Sequence, residues 1–180
     1  MKNISYRIAL GGIMSAICLI CMFCAGIFPA LYLALPMIAG VIMVIIADEV
    51  NISWGFLTYL VVSILSLFIT FDKEASLIFI MFFGHYPLLR IYLNKIKITI
   101  FRRIIKFAIY NICILAYFYS TVYLLGLTEM LDEINGWGEK GGIIMLAFVN
   151  VFFAAYDFNI DGFMNIYRKK IKKHIKARSR

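Results

Sequence analysis

Between Arg7 and Asp48 the chain carries no charged residue. A spanning helix needs about 20 mainly apolar residues, so this run is too long for one helix and right for two. Proline ends a helix at or before the residue that precedes it, which puts the break at 26–29. The expected helices are 7–27 and 31–48, with Pro36 in the first turns of the second, where it is able to kink it.

The remainder of the chain repeats the pattern. Acidic pairs and triplets, Asp48-Glu49 and Asp72-Lys73-Glu74, bound a third helix at 54–71. A fourth at 75–93 contains Gly84, His85 and Pro87, a fifth spans 104–127, and a sixth spans 142–160 after a polar loop at 128–141. The expected fold is therefore all-α, a single polytopic membrane domain of about six transmembrane helices with a basic tail at 161–180. Composition agrees: 63% of residues are hydrophobic and 16% charged, against about 45–50% and about 25% in soluble domains. No soluble core of 180 residues hides that much apolar surface, so lipid is the expected solvent. A multi-pass protein of a cell membrane, of the bacterial cytoplasmic kind, is implied.

Net charge is +8, but the bases are not spread over a soluble face as nucleic-acid binding would need. Two lie near the N-terminus, six between Arg90 and Lys106, and eight from Arg168 onward; Lys73 and Lys140 are the exceptions. Sixteen of eighteen thus fall on one side of a six-span layout, which the positive-inside rule makes cytoplasmic, with both termini inside. The tail is expected to lie on anionic membrane lipid. The start of the chain resembles a signal peptide, yet no small-x-small cleavage site ends its apolar run, so it is read as the first span.

Chemistry-bearing motifs are few. No glycine-rich phosphate loop, His-Glu-x-x-His or Gly-x-Ser-x-Gly occurs, and neither an enzyme nor a cofactor is expected. Cys18, Cys21 and Cys24 are spaced like part of a metal motif, but each helical step of three turns the side chain by about 60°. They do not converge, and no metal is expected there. All four cysteines, Cys113 included, fall inside predicted helices and are read as free thiols.

Two regions remain as candidates. Helix 1 holds two overlapping pairs of small residues four apart, Gly11 with Ser15 and Gly12 with Ala16. Such pairs let a second helix approach closely, either within this chain or on a separate membrane subunit. The other region is a set of polar and aromatic groups. His85 lies about 15 Å into its helix at 1.5 Å per residue, near a bilayer midplane, where an ionisable side chain is structural or a ligand or proton site. Helix 6 carries Asn150. Tyr119 and Tyr123, with Glu129 and Trp137 of the following loop, form either an aromatic belt at the interface or walls for a small ligand. Four acids in that loop against Lys140 favour a neutral or cationic ligand.

The layout resembles the substrate-binding S components of energy-coupling factor (ECF) vitamin importers. The likeness rests on six spans with both ends inside, on Arg7-Ile-Ala-Leu-Gly-Gly-Ile-Met-Ser-Ala16, on Phe28-Pro29, and on Ala34-Leu-Pro-Met-Ile-Ala-Gly40. It implies that Gly12 and Ala16, with Gly11 and Ser15 beside them, dock on a transmembrane coupling subunit that works with ATPases. It also implies a small vitamin-like molecule bound near the outer side, under the loops joining helices 1–2, 3–4 and 5–6. The short, apolar 1–2 loop departs from that family. A similar layout occurs in the rod-shape-determining D subunit of cell-wall machinery, a scaffold that binds proteins and transports nothing.

Overall fold

A computed structural model describes residues 4–128, 131–132, 136, 138 and 140–171. Every regular element among them is helical. The helices are α1 (Ile4–Ile27), α2 (Ala34–Glu49), α3 (Ile52–Ile69), α4 (Lys73–Leu93), α5 (Thr99–Leu124) and α6 (Gly141–Lys170). All but α2 are long and apolar enough to cross a membrane. At 16 residues α2 is about 24 Å long, short of the roughly 30 Å hydrocarbon layer. A 3₁₀ turn at Pro29–Leu31 leads into it.

The expected boundaries shift where capping chemistry decides them. Pro36 is the third residue of α2, in the first turn, where N–H groups have no intrahelical acceptor and proline costs nothing. It starts the helix instead of bending it. Asn51 caps α3 by accepting from the Trp54 N–H at 2.9 Å. Asp72 caps α4, accepting from the N–H groups of Glu74 and Ala75 at 2.9 and 3.1 Å. Lys73 turns back and donates to the Leu67 and Thr70 carbonyls at 2.7 and 3.0 Å. A cation there satisfies the orphan carbonyls at the end of α3 and suits its dipole. The three residues that look like a charged boundary in the sequence are thus a tight hairpin locked at both ends. α5 begins at Thr99, several residues before the expected start, and α6 runs on past 160 to Ile166 and a π turn at Tyr167–Ile171.

The chain divides into two compact units, Met1–Met130 and Leu131–Arg180. In the first, α1 packs on α2 and α3, α2 lies against α3 and the second half of α4, and α5 packs on the middle of α4. Its core includes Cys18, Met22, Met43, Ile46, Val62, Phe79, Phe83 and Leu88. Glycines mark the closest approaches. A Cβ on Gly26 would lie 3.0 Å from the Asp72 nitrogen, and one on Gly55 would lie 2.8 Å from Leu88 Cδ2. α1 therefore ends against the α3–α4 turn, and the start of α3 meets the end of α4. In the second unit, α6 has a buried stripe of Phe153, Tyr156, Ile160 and Met164 at helical spacing, with Val151 and Phe158 exposed. The outward surface of the described residues is apolar in both units: Phe68 is 81% and Phe158 79% exposed.

Candidate functional site

Pro87 has no N–H to give, and α4 is not regular around it. Residues Phe79–Phe83 form a π turn, in which the Gly84 N–H bonds to the Phe79 carbonyl at 2.7 Å. In an α-helix that N–H would go to Ile80. The Ile80 carbonyl is released, and two side chains take it: Tyr59 O–H from α3 at 2.8 Å and His85 Nδ1 at 3.2 Å. A carbonyl only accepts, so Nδ1 carries the ring proton and Nε2 is left with its lone pair. Nε2 faces Cys113 Sγ of α5 at 3.7 Å. The Tyr59 ring meets the imidazole edge-on, centroids 5.9 Å apart. His85 is thus held by α3, by its own helix and by α5.

A second polar group lies at the end of the first unit where α1, the α3–α4 turn and the last part of α5 meet. Ser76 Oγ donates to the Ser66 and Asp72 carbonyls at 3.2 and 3.4 Å, and Ser66 Oγ donates to the Ser63 carbonyl at 3.0 Å. The hydroxyl oxygens of Thr70 and Thr121 are buried with no hydrogen-bond partner, the residues being 1% and 0% exposed. Tyr117 lies within reach of the Thr121 hydroxyl, and Glu74, Tyr32 and Asp72 lie within electrostatic reach of its own. Three stretches of chain, the α1–α2 connection, the α3–α4 turn and α5, contribute to one polar cluster. A buried hydroxyl without a partner costs about 1–3 kcal/mol.

The residues singled out from the sequence are distributed as follows. On α1, Gly11 is buried, and a Cβ there would touch Thr58 and Trp54 of α3 at 3.8 Å. Gly12 and Ala16 are exposed, Ser15 is half-buried, and a Cβ on Gly12 would have nothing within 4 Å. Tyr119 and Tyr123 stack on each other, centroids 5.7 Å apart, and are 59% and 78% exposed. They are not brought to the polar cluster, whose α5 residues are Tyr117 and Thr121. Asn150, in the second unit, donates from Nδ2 to the Leu146 carbonyl at 2.8 Å. Glu129 and Trp137 lie outside the described residues.

Tyr32, Thr70, Asp72, Glu74 and Thr121 were not anticipated as site residues. A signal for part of this existed: Gly55, Thr58, Val62, Ser66 and Thr70 follow a three-or-four spacing along an otherwise apolar helix. Small and hydroxyl residues on one stripe face protein in a lipid-embedded helix, since lipid offers them no partner. No protein-family model matches the chain, and no curated protein or solved structure matches it.

Proposed function

We propose that the chain is a multi-pass membrane subunit that binds a small polar molecule at the α3–α4 end of the bundle and docks on a separate membrane protein through α1, as the binding subunit of an ECF-type importer. The observation that carries this reading is the buried Thr121 hydroxyl beside Tyr117, with the carboxylates of Asp72 and Glu74 within electrostatic reach, together with the partnerless buried Thr70 hydroxyl at the α3–α4 turn. Hydroxyls give and accept one bond each with almost any polar ligand, and the carboxylates favour a neutral or cationic one. A site at that end is also where the resemblance expects the ligand.

Valine in place of either threonine separates a binding role from a folding role. With no partner to lose, Thr70→Val and Thr121→Val leave the empty protein as stable or more stable in a thermal melt. Each then weakens the bound ligand by about tenfold, the worth of one hydrogen bond of roughly 1.4 kcal/mol. The assay is equilibrium dialysis of detergent-purified protein against a panel of vitamins and amines. Valine variants that melt lower than the parent would mean that these hydroxyls serve the fold. If no panel member binds and both variants are silent, the scaffold reading, docking without transport, takes its place.

The sidedness proposed is that both termini and the α4–α5 connection face the cytoplasm, supported by the sixteen-to-two partition of Lys and Arg. Single cysteines at positions 95 and 173, on a background lacking the native thiols, are expected to resist an impermeant maleimide in intact cells. One at 132 is expected to react at once. Fast labelling at 173 would overturn the six-span layout.

A further inference from the structure

We propose that Cys113 and His85 form a binding site for a soft monovalent metal cation, of the copper(I) or silver(I) kind, inside the helix bundle. The proposal is independent of the ligand site at the α3–α4 end.

The donors are already arranged as metal ligands are. A ligating histidine needs one ring nitrogen free and the other held, and a backbone carbonyl is a common holder. Here the Ile80 carbonyl fixes Nδ1–H at 3.2 Å, which turns the Nε2 lone pair toward Cys113 Sγ at 3.7 Å. With bonds of about 2.0 Å to imidazole and about 2.3 Å to thiolate, that 3.7 Å separation closes a triangle with an angle of about 120° at the ion. Two-coordinate copper(I) and silver(I) favour a near-linear angle, which parting the donors by a further ~0.6 Å supplies. The carbonyl is itself pinned, because Tyr59 O–H donates to it at 2.8 Å.

Donor number, softness and charge together select the ion. Among the described residues no group of three or more His, Cys, Asp or Glu is placed to hold a metal. Zinc, which takes four ligands in a closed site, is poorly served. Thiolate with imidazole suits soft copper(I), which accepts low coordination, better than the hard cations that want oxygen. Binding replaces the Cys113 thiol proton, which leaves to solvent, so thiolate and monovalent cation cancel. A divalent ion on the same pair would leave one net positive charge among apolar helices, at a cost of several kcal/mol. Among the other cysteines, Cys18 Sγ donates to the Ala39 carbonyl at 3.6 Å instead.

The test is silver(I) retention by full-length protein in detergent, with Cys18, Cys21 and Cys24 changed to alanine. After desalting against a competing thioether, one silver per chain is expected. Cys113→Ser should abolish retention, and His85→Gln should weaken it at least tenfold with Cys113 still present. Zinc should not be retained in the same assay. An unretained silver in the parent, or equal affinity in His85→Gln, would overturn the proposal. If His85→Gln does not fold, X-ray absorption at the silver edge of the loaded parent decides. One sulfur with one nitrogen neighbour sustains the site, and sulfur alone defeats it.

Discussion

Gly84→Leu is expected to give no folded monomer, and Gly84→Ala a monomer about 2–4 kcal/mol less stable, the sum of an overpacking term and one lost hydrogen bond. A Cβ at position 84 would lie 2.5 and 2.6 Å from Cδ2 and Cε2 of Tyr59 and 3.0 Å from Phe79 Cζ. Ordinarily a ring at the end of a side chain swings away cheaply. Tyr59 is not free to, because its hydroxyl holds the Ile80 carbonyl at 2.8 Å and its ring lies against His85. Phe79 is fully buried in the core. Moving Tyr59 would also strip one of the two donors from a carbonyl that the π turn has already released from the backbone ladder, leaving His85 alone to hold it. The measurement is unfolding of the purified variant in mixed micelles, followed by tryptophan fluorescence. Tyr59→Leu combined with Gly84→Ala should recover part of the loss, since the pair is in contact and its effects are not additive. A Gly84→Ala variant as stable as the parent would mean that α3 and α4 do not approach this closely.

This contact also shows where sequence reasoning reaches and where it stops. The helices were legible because an uncharged run bounded by acids or bases has few folded outcomes, and two of the helix starts lie at capping residues that local chemistry explains. These are Asp72 and Asn51. Pro87 was legible as an irregularity, but the π turn was not, nor the Ile80 carbonyl that it releases. Which side chains would take that carbonyl depends on how α3 and α5 lie beside α4, and no local pattern encodes it. The candidate site was legible only as a region. Tyr119 and Tyr123 were weighed as walls or as a belt, and helical rotation puts both on the exposed side of α5. Positions 117 and 121 share a buried face, whereas 119 and 123 point away from it. Thr70 and Thr121 drew no notice because a threonine in an apolar helix is ordinary; only its lack of a partner is informative, and that is a three-dimensional property.

The same rotation divides the small residues of α1 and makes their roles separable. Gly11 faces α3, while Gly12 and Ala16 face outward, with open space where a Gly12 side chain would be. Leucine at 12 or 16 should therefore leave the isolated protein folded, with an unchanged melt. Leucine at 11 should destabilise it, because only a methyl group fits beside Thr58 and Trp54 at 3.8 Å. The docking reading adds a second consequence. Helices in lipid associate through close backbone approach and dispersion, with no hydrophobic drive to compensate for a bulky residue between them. Gly12→Leu and Ala16→Leu should reduce recovery of a coupling subunit from native membranes at least tenfold, about 1.4 kcal/mol, and the double variant should abolish it. The measurement is crosslinking in the membrane followed by affinity purification and mass spectrometry, with Gly11→Leu as the control for damage to the fold. Unchanged recovery from variants that fold normally would leave Gly12 and Ala16 facing lipid alone. Loss of folding in both would mean that the open face is closed within the chain, and the docking proposal would fall in either case.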